Sequence, residues 1–556
     1  MKKLISLLMI AALTLSGCST PAGVKETSFS ATGNGYGGEL KVEVVMLGTE
    51  IKDVKLVENK ESSPVINRAF PVIRERILTE QTAVVDSVSG ATYSSNAIKT
   101  AVADAAKQGG VEFDLKAKKE ELPAKELEAV KTQIVIIGAG PAGLSAAIEA
   151  KESGVEDVIL IEKLDILSGN GKFDMNFFDL INSEAQKKAG IDYTVEQFIE
   201  GKKTSTDSPE RIQAWAEGEY TLDAWLRGMD IELNQSNGGT NHMAEKDAYA
   251  GEEIQDGLEK RALELNIDIR TNTAGLDLIM DGSKAVGVKV KHKNETYDIM
   301  ADAVILATGG FSHNKELLAK YAPGSEDVAT SNQMGATGDF VPVFEKNGFK
   351  LDKMDTLSVF KMIIAVRRDL TGAGDGFLLV NKNGERFVDE SKSGLEMAHT
   401  ILEQPDGKVY YIYDQRLYDT SYRLEKHNNL GYHVKGETLE ELADKLKLPV
   451  DALKATVDTY NQAIAGEIAD PFRAKPAADQ LSATGPYYGV QVESAIHMTK
   501  GGVVANENAQ VLMEDGSVVE GLYAAGEVTA TTGAYSAAVV FGRISGEKAA
   551  EFVLAK

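Results

Sequence analysis

The chain opens on a positive start, Met1-Lys2-Lys3, followed by a nearly unbroken apolar run from Leu4 to Leu15. Such a run is shorter than the ~20 residues that span a bilayer and suits the apolar segment of a secretory signal. No later run is long and apolar enough to span. Beyond it the pattern alternates. Glu39–Met46 and Ile51–Val57 each alternate in part, with Gly48-Thr49-Glu50 between them, which predicts a hairpin. Ser94–Ala106 puts Ala97, Ile98, Ala101 and Ala105 on one helical face. Further along the runs become continuous: Gln133–Ile137, Val158–Ile161 and Ala303–Leu306 read as buried strands, the first two flanking a helix at Leu144–Ser153. Lys116–Lys131 is dense in Lys, Glu and Ala, contains Pro123, and predicts a short helical spacer between domains.

Composition narrows the chemistry. The 556 residues suggest several domains, and 43% hydrophobic with 26% charged residues are ordinary globular values. A net charge of −25 excludes a broad nucleic-acid-binding face. Cys18 is the only cysteine, so internal disulfides, cysteine-ligated iron–sulfur clusters and a C-x-x-C-H haem are excluded. Redox chemistry here needs an organic cofactor or a metal without thiolate ligands, and no His/Asp/Glu spacing suggests a metal site. Leu15-Ser16-Gly17-Cys18 resembles the lipobox of bacterial lipoproteins, whose cysteine is acylated after cleavage. It implies a signal peptide over 1–18, a tether from Ser19 to about Ser28, and a lipid-anchored protein at the cell surface or in the periplasm.

Two motifs carry candidate cofactor chemistry. Asp86-Ser87-Val88-Ser89-Gly90-Ala91-Thr92-Tyr93 precedes the predicted helix. Gly90 and Ala91 leave the backbone open to a phosphate, the helix start supplies free N–H groups, and Thr92 supplies a hydroxyl. The string resembles the flavinylation motif of FMN-binding domains, in which a dedicated transferase esterifies the threonine to the FMN phosphate. That resemblance makes Ser89, Gly90, Ala91 and Thr92 the FMN site, with Thr92 the covalent link. The second motif is Gly138-Ala139-Gly140-Pro141-Ala142-Gly143, lying between a strand and a helix, with Glu162 ending the next strand 24 positions after Gly138. Strand, glycine turn, helix, strand and acid in this order indicate a dinucleotide, without saying which. Ala307-Thr308-Gly309-Gly310 and Gly521–Glu527 resemble segments of two-dinucleotide-fold flavoproteins and favour FAD, the acid Glu527 falling where the ribityl chain is bound.

From about Lys131 onward the sequence resembles the soluble fumarate and urocanate reductase flavoproteins. Ser168–Lys172 resembles the loop near the flavin, Gly335–Asp339 a second loop, Asn381–Glu390 the start of a cap segment, and His497–Gly502 the turn where the cap rejoins the FAD domain. Thr438–Ala443 and Thr456–Asn461 look like cap helices. The implied fold is α/β: a Rossmann-like FAD-binding domain (132–354 and 495–556) with an inserted α+β cap (355–494). A linker (111–131) and a small α+β FMN-binding domain (29–110) precede it. The resemblance assigns FAD to Gly138, Gly140, Ala142, Gly143, Glu162, Lys163, Asn170, Thr308, Gly309, Gly310, Asp339, Gly526 and Glu527.

It also implies electron flow from a membrane or extracellular donor to FMN, then FAD, then as hydride to the C=C bond of an α,β-unsaturated acid or carbonyl of urocanate, fumarate or cinnamate type. The family's charged site residues are replaced. Its proton-donating arginine falls at Gly394, its substrate-carboxylate arginine at Ser536, a second histidine at Met498, and its proton-pathway residues near Leu370 and Ala373. A dicarboxylate needs two fixed cations, which argues against fumarate. Remaining catalytic candidates are Tyr535 (an oxygen ligand, a proton donor, or an aromatic under the flavin), His497, His242, Lys392 and Lys500, with Arg367-Arg368 as a carboxylate anchor at the cap edge. A non-enzymatic two-flavin carrier and a desaturase of ketosteroid-dehydrogenase type are the alternatives.

Overall fold

A computed structural model describes residues 25–556 apart from 62, 118–122, 168, 173–176, 204, 237, 366, 532 and 534. Cys18, the apolar leader and Ser168 therefore lie outside the described residues. The chain divides into two units, one running to Ser87 and from Ala91 to Lys119, the other holding Val88–Gly90 and everything from Glu120.

The first unit is a three-stranded antiparallel sheet, β1 (Glu26–Asn34), β2 (Glu39–Leu47) and β3 (Glu50–Asn59), with helices α1 (Ser63–Glu80) and α2 (Thr92–Gln108). In β2, Leu40, Val42, Val44 and Met46 are buried, and the expected hairpin with β3 is present. The alternating face meets Ala97, Ile98, Ala101 and Ala105 of α2, all buried. Gly33 permits this packing, because a Cβ there would stand 2.1 Å from the Ala97 carbonyl oxygen. Two elements depart from the sequence expectation. β1 begins inside the stretch read as tether, and α1 was not anticipated, since Pro71 in its middle is ordinarily a helix breaker.

The second unit is built on a parallel sheet in the order β6 (Asp268–Arg270), β5 (Val158–Ile161), β4 (Val130–Ile137), β9 (Glu295–Leu306) and β14 (Val518–Ala524). Its continuous apolar runs are buried on both faces: Ile134, Ile136 and Ile305 face one core, Val135, Ile137 and Leu306 the other. Helix α3 (Pro141–Glu152) packs on one face against the long C-terminal helix α8 (Tyr535–Leu554), with Gly542 and Gly546 letting the helix backbones approach closely. Between β6 and β9 an antiparallel pair, β7 (Thr273–Asp281) and β8 (Lys284–His292), extends the sheet. The expected helical spacer is corrected by the structure. Lys125–Glu126 is extended and pairs with Glu295–Thr296 of β9, where Pro123 disfavours a helix and the sheet edge offers backbone partners.

A second, antiparallel sheet forms the cap. Its strands run β10 (Leu357–Ile364), β13 (Tyr487–Thr499), β12 (Val409–Asp414) and β11 (Leu378–Asn381). β10 and β13 pair from Leu357↔Thr499 to Ile364↔Val492, so the two chain crossings into the cap are neighbouring strands. Helices α4 (Pro209–Arg227) and α5 (Ala250–Glu264) precede the cap in the chain, and α6 (Gly394–Leu402) and α7 (Tyr422–Asn429) lie within it. The two helices expected near the end of the cap are observed at Leu439–Leu446 and Val450–Ala465.

Candidate functional site

Neighbours β5 and β9 leave β4 in opposite directions, and a crevice opens at their C-terminal ends, where open α/β sheets bind ligands. A cavity lined by Gly138, Gly140, Glu162 and Glu527 occupies it. The chain leaves β4 at Gly138, whose φ of +106° suits glycine, and enters α3 through Gly140 and Pro141. No side chain caps the N-terminus of α3, so its first N–H groups remain for a phosphate. Gly143 is required for packing: a Cβ there would stand 1.8 Å from the Gly138 carbonyl oxygen.

Two buried carboxylates face this cavity. Glu162 accepts the Ala139 N–H through Oε2 and the Leu164 N–H through Oε1, both at 2.9 Å. Glu527 accepts the Thr499 N–H at 2.9 Å and the Asn170 amide at 2.9 Å. Burial raises both carboxyl pKa values above the ordinary range, against the pull of those hydrogen bonds. Gly310 makes room for the second, since a Cβ there would lie 2.3 Å from Glu527 Oε1. Lys163 bridges to Asp339 at 2.6 Å and to Thr337 at 2.6 Å. Gly138, Gly140, Ala142, Glu162, Lys163, Asn170, Thr308, Gly309, Asp339, Gly526 and Glu527 all line the cavity, whereas Gly143 and Gly310 do not. An uncapped helix start for a diphosphate and two acceptor carboxylates for hydroxyls fit a dinucleotide.

Thr273, Gly275, Gln333 and Phe340 also line the cavity outside the segments the motifs mark, and Ala336 lines it from within the Gly335–Asp339 loop. Thr273 and Gly275 come from the antiparallel excursion, which carries no cofactor motif. Phe340 directly follows the recognised Gly335–Asp339 loop and was legible by position alone.

On the cap side, His497 and Met498 line the cavity. His497 stacks on Phe360 with ring centroids 3.9 Å apart, and its Nδ1 meets the Ser331 hydroxyl at 3.0 Å. Asn332 donates its amide to the His497 carbonyl at 2.6 Å and accepts the Arg368 guanidinium at 2.8 Å on its own carbonyl. Arg368 holds a left-handed φ of +58°, a conformation that costs a non-glycine residue energy and clusters at functional sites. Tyr535 forms a cavity wall. Its ring lies edge-on to Phe178 at 5.1 Å, its hydroxyl donates to the Gly251 carbonyl at 3.4 Å, and burial pushes its pKa far up.

Three expected site residues stand off the cavity wall. His242 is fully buried, with Nε2 meeting the Ser183 hydroxyl at 2.6 Å and Nδ1 the Thr240 carbonyl at 2.8 Å, so both ring nitrogens are engaged away from the cavity. Lys392 stands on the loop entering α6, and Lys500 follows the β13 turn; neither lines the cavity. The substituted arginine positions are closed. A Cβ at Gly394 would lie 2.1 Å from the Val359 carbonyl oxygen. Ser536 is buried on α8 and does not line the cavity. On α4, fully buried Glu219 accepts the Trp215 N–H at 3.1 Å, and burial plus the charge of Asp179 push its carboxyl well above 4.5.

In the first unit Thr92 is the first residue of α2, half-buried, after the Ser89-Gly90 turn in which Gly90 takes φ +89°. Ala91 at the N-cap provides no side-chain acceptor, which leaves the first N–H groups of α2 available beside the Thr92 hydroxyl. This start fits a phosphate ester. Among the described residues no cluster of His, Cys, Asp or Glu has metal-binding geometry, and no helix is long and apolar enough to cross a membrane.

Comparison with known proteins finds a domain family for each cofactor. The FAD binding domain family matches residues 133–538, and the FMN-binding domain family matches residues 35–107. A urocanate reductase of Eggerthella lenta is 32% identical, the match covering 97% of this chain and 96% of that protein. An NADH:acrylate oxidoreductase of Vibrio harveyi is 29% identical over 96% of this chain but only 62% of its own length. The open conformation of a flavocytochrome c3 fumarate reductase superposes with a TM-score of 0.67 at 31% identity, covering 76% of this chain and 79% of that one. With FAD and FMN modules in one polypeptide and reductases of unsaturated acids as relatives, the chain belongs to the fumarate and urocanate reductase-like flavoproteins, oxidoreductases acting on CH–CH groups.

Proposed function

We propose that this flavoprotein reduces the C=C bond of an α,β-unsaturated acid carrying a single carboxylate, with electrons entering at an FMN on Thr92 and leaving at the FAD cavity. The observation that carries the monocarboxylate reading is the closed backbone at Gly394: with 2.1 Å to the Val359 carbonyl oxygen, no cation can project from this position. Ser536 removes the second cation. We assign the one carboxylate to Arg368, whose guanidinium donates to the Asn332 carbonyl beside the His497 turn. When bound, the flavins supply electron storage and hydride delivery. The chain supplies the remainder. α3 and Glu162 hold the dinucleotide, Asn170 and Glu527 fix the loop at its reactive end, Phe360 and Ser331 orient His497, and Met498 and Tyr535 line an apolar wall.

Loading of Thr92 by a flavin transferase, a membrane or extracellular electron donor, and lipid anchoring through Cys18 at the cell surface or in the periplasm complete the proposal. Incorporation of labelled palmitate that is lost in Cys18→Ala tests the anchor. A pure electron carrier has no use for the cap sheet, so the enzyme reading is preferred. The substrate test is anaerobic. The reduced holoprotein is offered acrylate, urocanate, cinnamates, fumarate and an enone steroid. Reoxidation by a monocarboxylate with release of the saturated acid is expected. Equal or faster reoxidation by fumarate would refute the single-carboxylate reading, and reoxidation by quinones and dyes alone would favour the carrier.

A further inference from the structure

Among the described residues of the first unit, the surface around Thr92 carries an aromatic pair. Tyr93 is 66% exposed and Tyr36 47% exposed, and their rings stand 5.7 Å apart at 52°. Single exposed aromatics are ordinary. This pair is built. Tyr36 sits on the Asn34–Gly38 turn between β1 and β2, closed by Gly35 N–H donating to the Gly38 carbonyl at 2.8 Å. Glu61 ties that turn to α2, its Oε1 accepting the Gly37 N–H at 2.9 Å and its Oε2 accepting the Ser94 hydroxyl at 2.5 Å. The carboxylate thus locks the residue after Tyr36 to the residue after Tyr93. Gly35 is needed for the lock, since a Cβ there would lie 2.1 Å from Glu61 Oε1. Two hydrogen bonds and a glycine turn hold two tyrosine rings outward, and Tyr93 directly follows Thr92 in sequence.

We propose that Tyr36 and Tyr93 form an aromatic clamp for the isoalloxazine ring of the FMN joined to Thr92. The inference rests on the reading of Thr92 as the attachment site. A ribityl phosphate fixed at the first residue of α2 is a flexible tether, and without a partner its ring would swing through solvent. A tilted tyrosine pair offers the large, low-entropy surface on which a flat heterocycle stacks, with the phenols left wet. It limits the ring to one face of the FMN unit, so donor and acceptor meet the flavin in a defined orientation.

The test uses the full-length, flavinylated holoprotein. Mass spectrometry of the Thr92 peptide reports attachment, and native flavin emission and its quenching by iodide report the ring's surroundings, with the Thr92→Ala holoprotein giving the FAD-only baseline. Tyrosine in contact with an excited flavin quenches it by electron transfer. The double variant Tyr36→Ser/Tyr93→Ser is therefore expected to keep the full adduct while its FMN emission rises several-fold and becomes more accessible to iodide. Tyr36→Phe/Tyr93→Phe is expected to brighten as well but to keep the shielding from iodide, since the rings remain. Unchanged emission and iodide access in the serine double variant, with the adduct intact, would overturn the clamp alone. A wild-type protein with no flavin on Thr92 would overturn the attachment reading and the clamp with it.

Discussion

A Cβ at Gly138 would stand 2.3 Å from the Ala307 carbonyl oxygen, and the residue's φ of +106° already lies in the region that favours glycine. Gly138→Val is therefore expected to lose FAD while keeping FMN, read as one flavin rather than two after extraction. Arg368 is the opposite case, a residue whose chemistry is spent on a rim contact. Charge-assisted hydrogen bonds contribute about 1.5–3 kcal/mol, so Arg368→Ala should raise the KM for the unsaturated acid by roughly 10- to 100-fold with little change in kcat. A proportionate fall in kcat instead would place Arg368 in the chemical step. The cofactor residues were legible because each sits in a short motif whose geometry is local. The substrate side was not. His242 looks like a ligand in sequence, but the Ser183 hydroxyl and the Thr240 carbonyl engage its ring, and Arg368 carries no motif at all.

Parallel strands were legible as continuous apolar runs, and β2 and β3 by alternation, because burial on one face or two writes itself into the residue order. The helix α1 and the strand at Lys125 were not, since tertiary partners override a proline in one case and a helical composition in the other. Two element-level predictions follow from packing. α6 starts against β10 with Gly394 under the Val359 carbonyl, so Gly394→Ala should destabilise the protein by about 1–3 kcal/mol through overpacking, and Gly394→Arg should not restore fumarate turnover. Thermal unfolding and a fumarate assay check both.

Behind α8, Glu219 on α4 has its carboxyl raised by burial, so the folded state holds a proton that the unfolded chain releases. Its contribution is complete below the unfolded value near 4.5 and is lost as pH rises through the higher folded-state value. Glu219→Gln keeps the neutral shape. It should raise Tm at neutral and alkaline pH and leave it unchanged at about pH 4. A gain of equal size at both would show that the carboxyl is not held protonated.

At the scale of the whole molecule, the FMN-binding and FAD-binding modules belong to one polypeptide, and its relatives act on unsaturated acids. Two flavins carrying two electrons each make the fully reduced chain a four-electron store, and reduction of one C=C bond consumes two. Thr92→Ala should leave the FAD domain folded and able to reduce substrate when fed by dithionite, yet halve the store. The most direct measurement is an anaerobic titration of the fully reduced, fully flavinylated protein with its unsaturated monocarboxylate, counting molecules of saturated acid formed per chain. Two per chain in the wild type and one in Thr92→Ala is the predicted result. One per chain in both proteins, or no saturated acid in either, would contradict the claim that the two flavins serve a single C=C reductase.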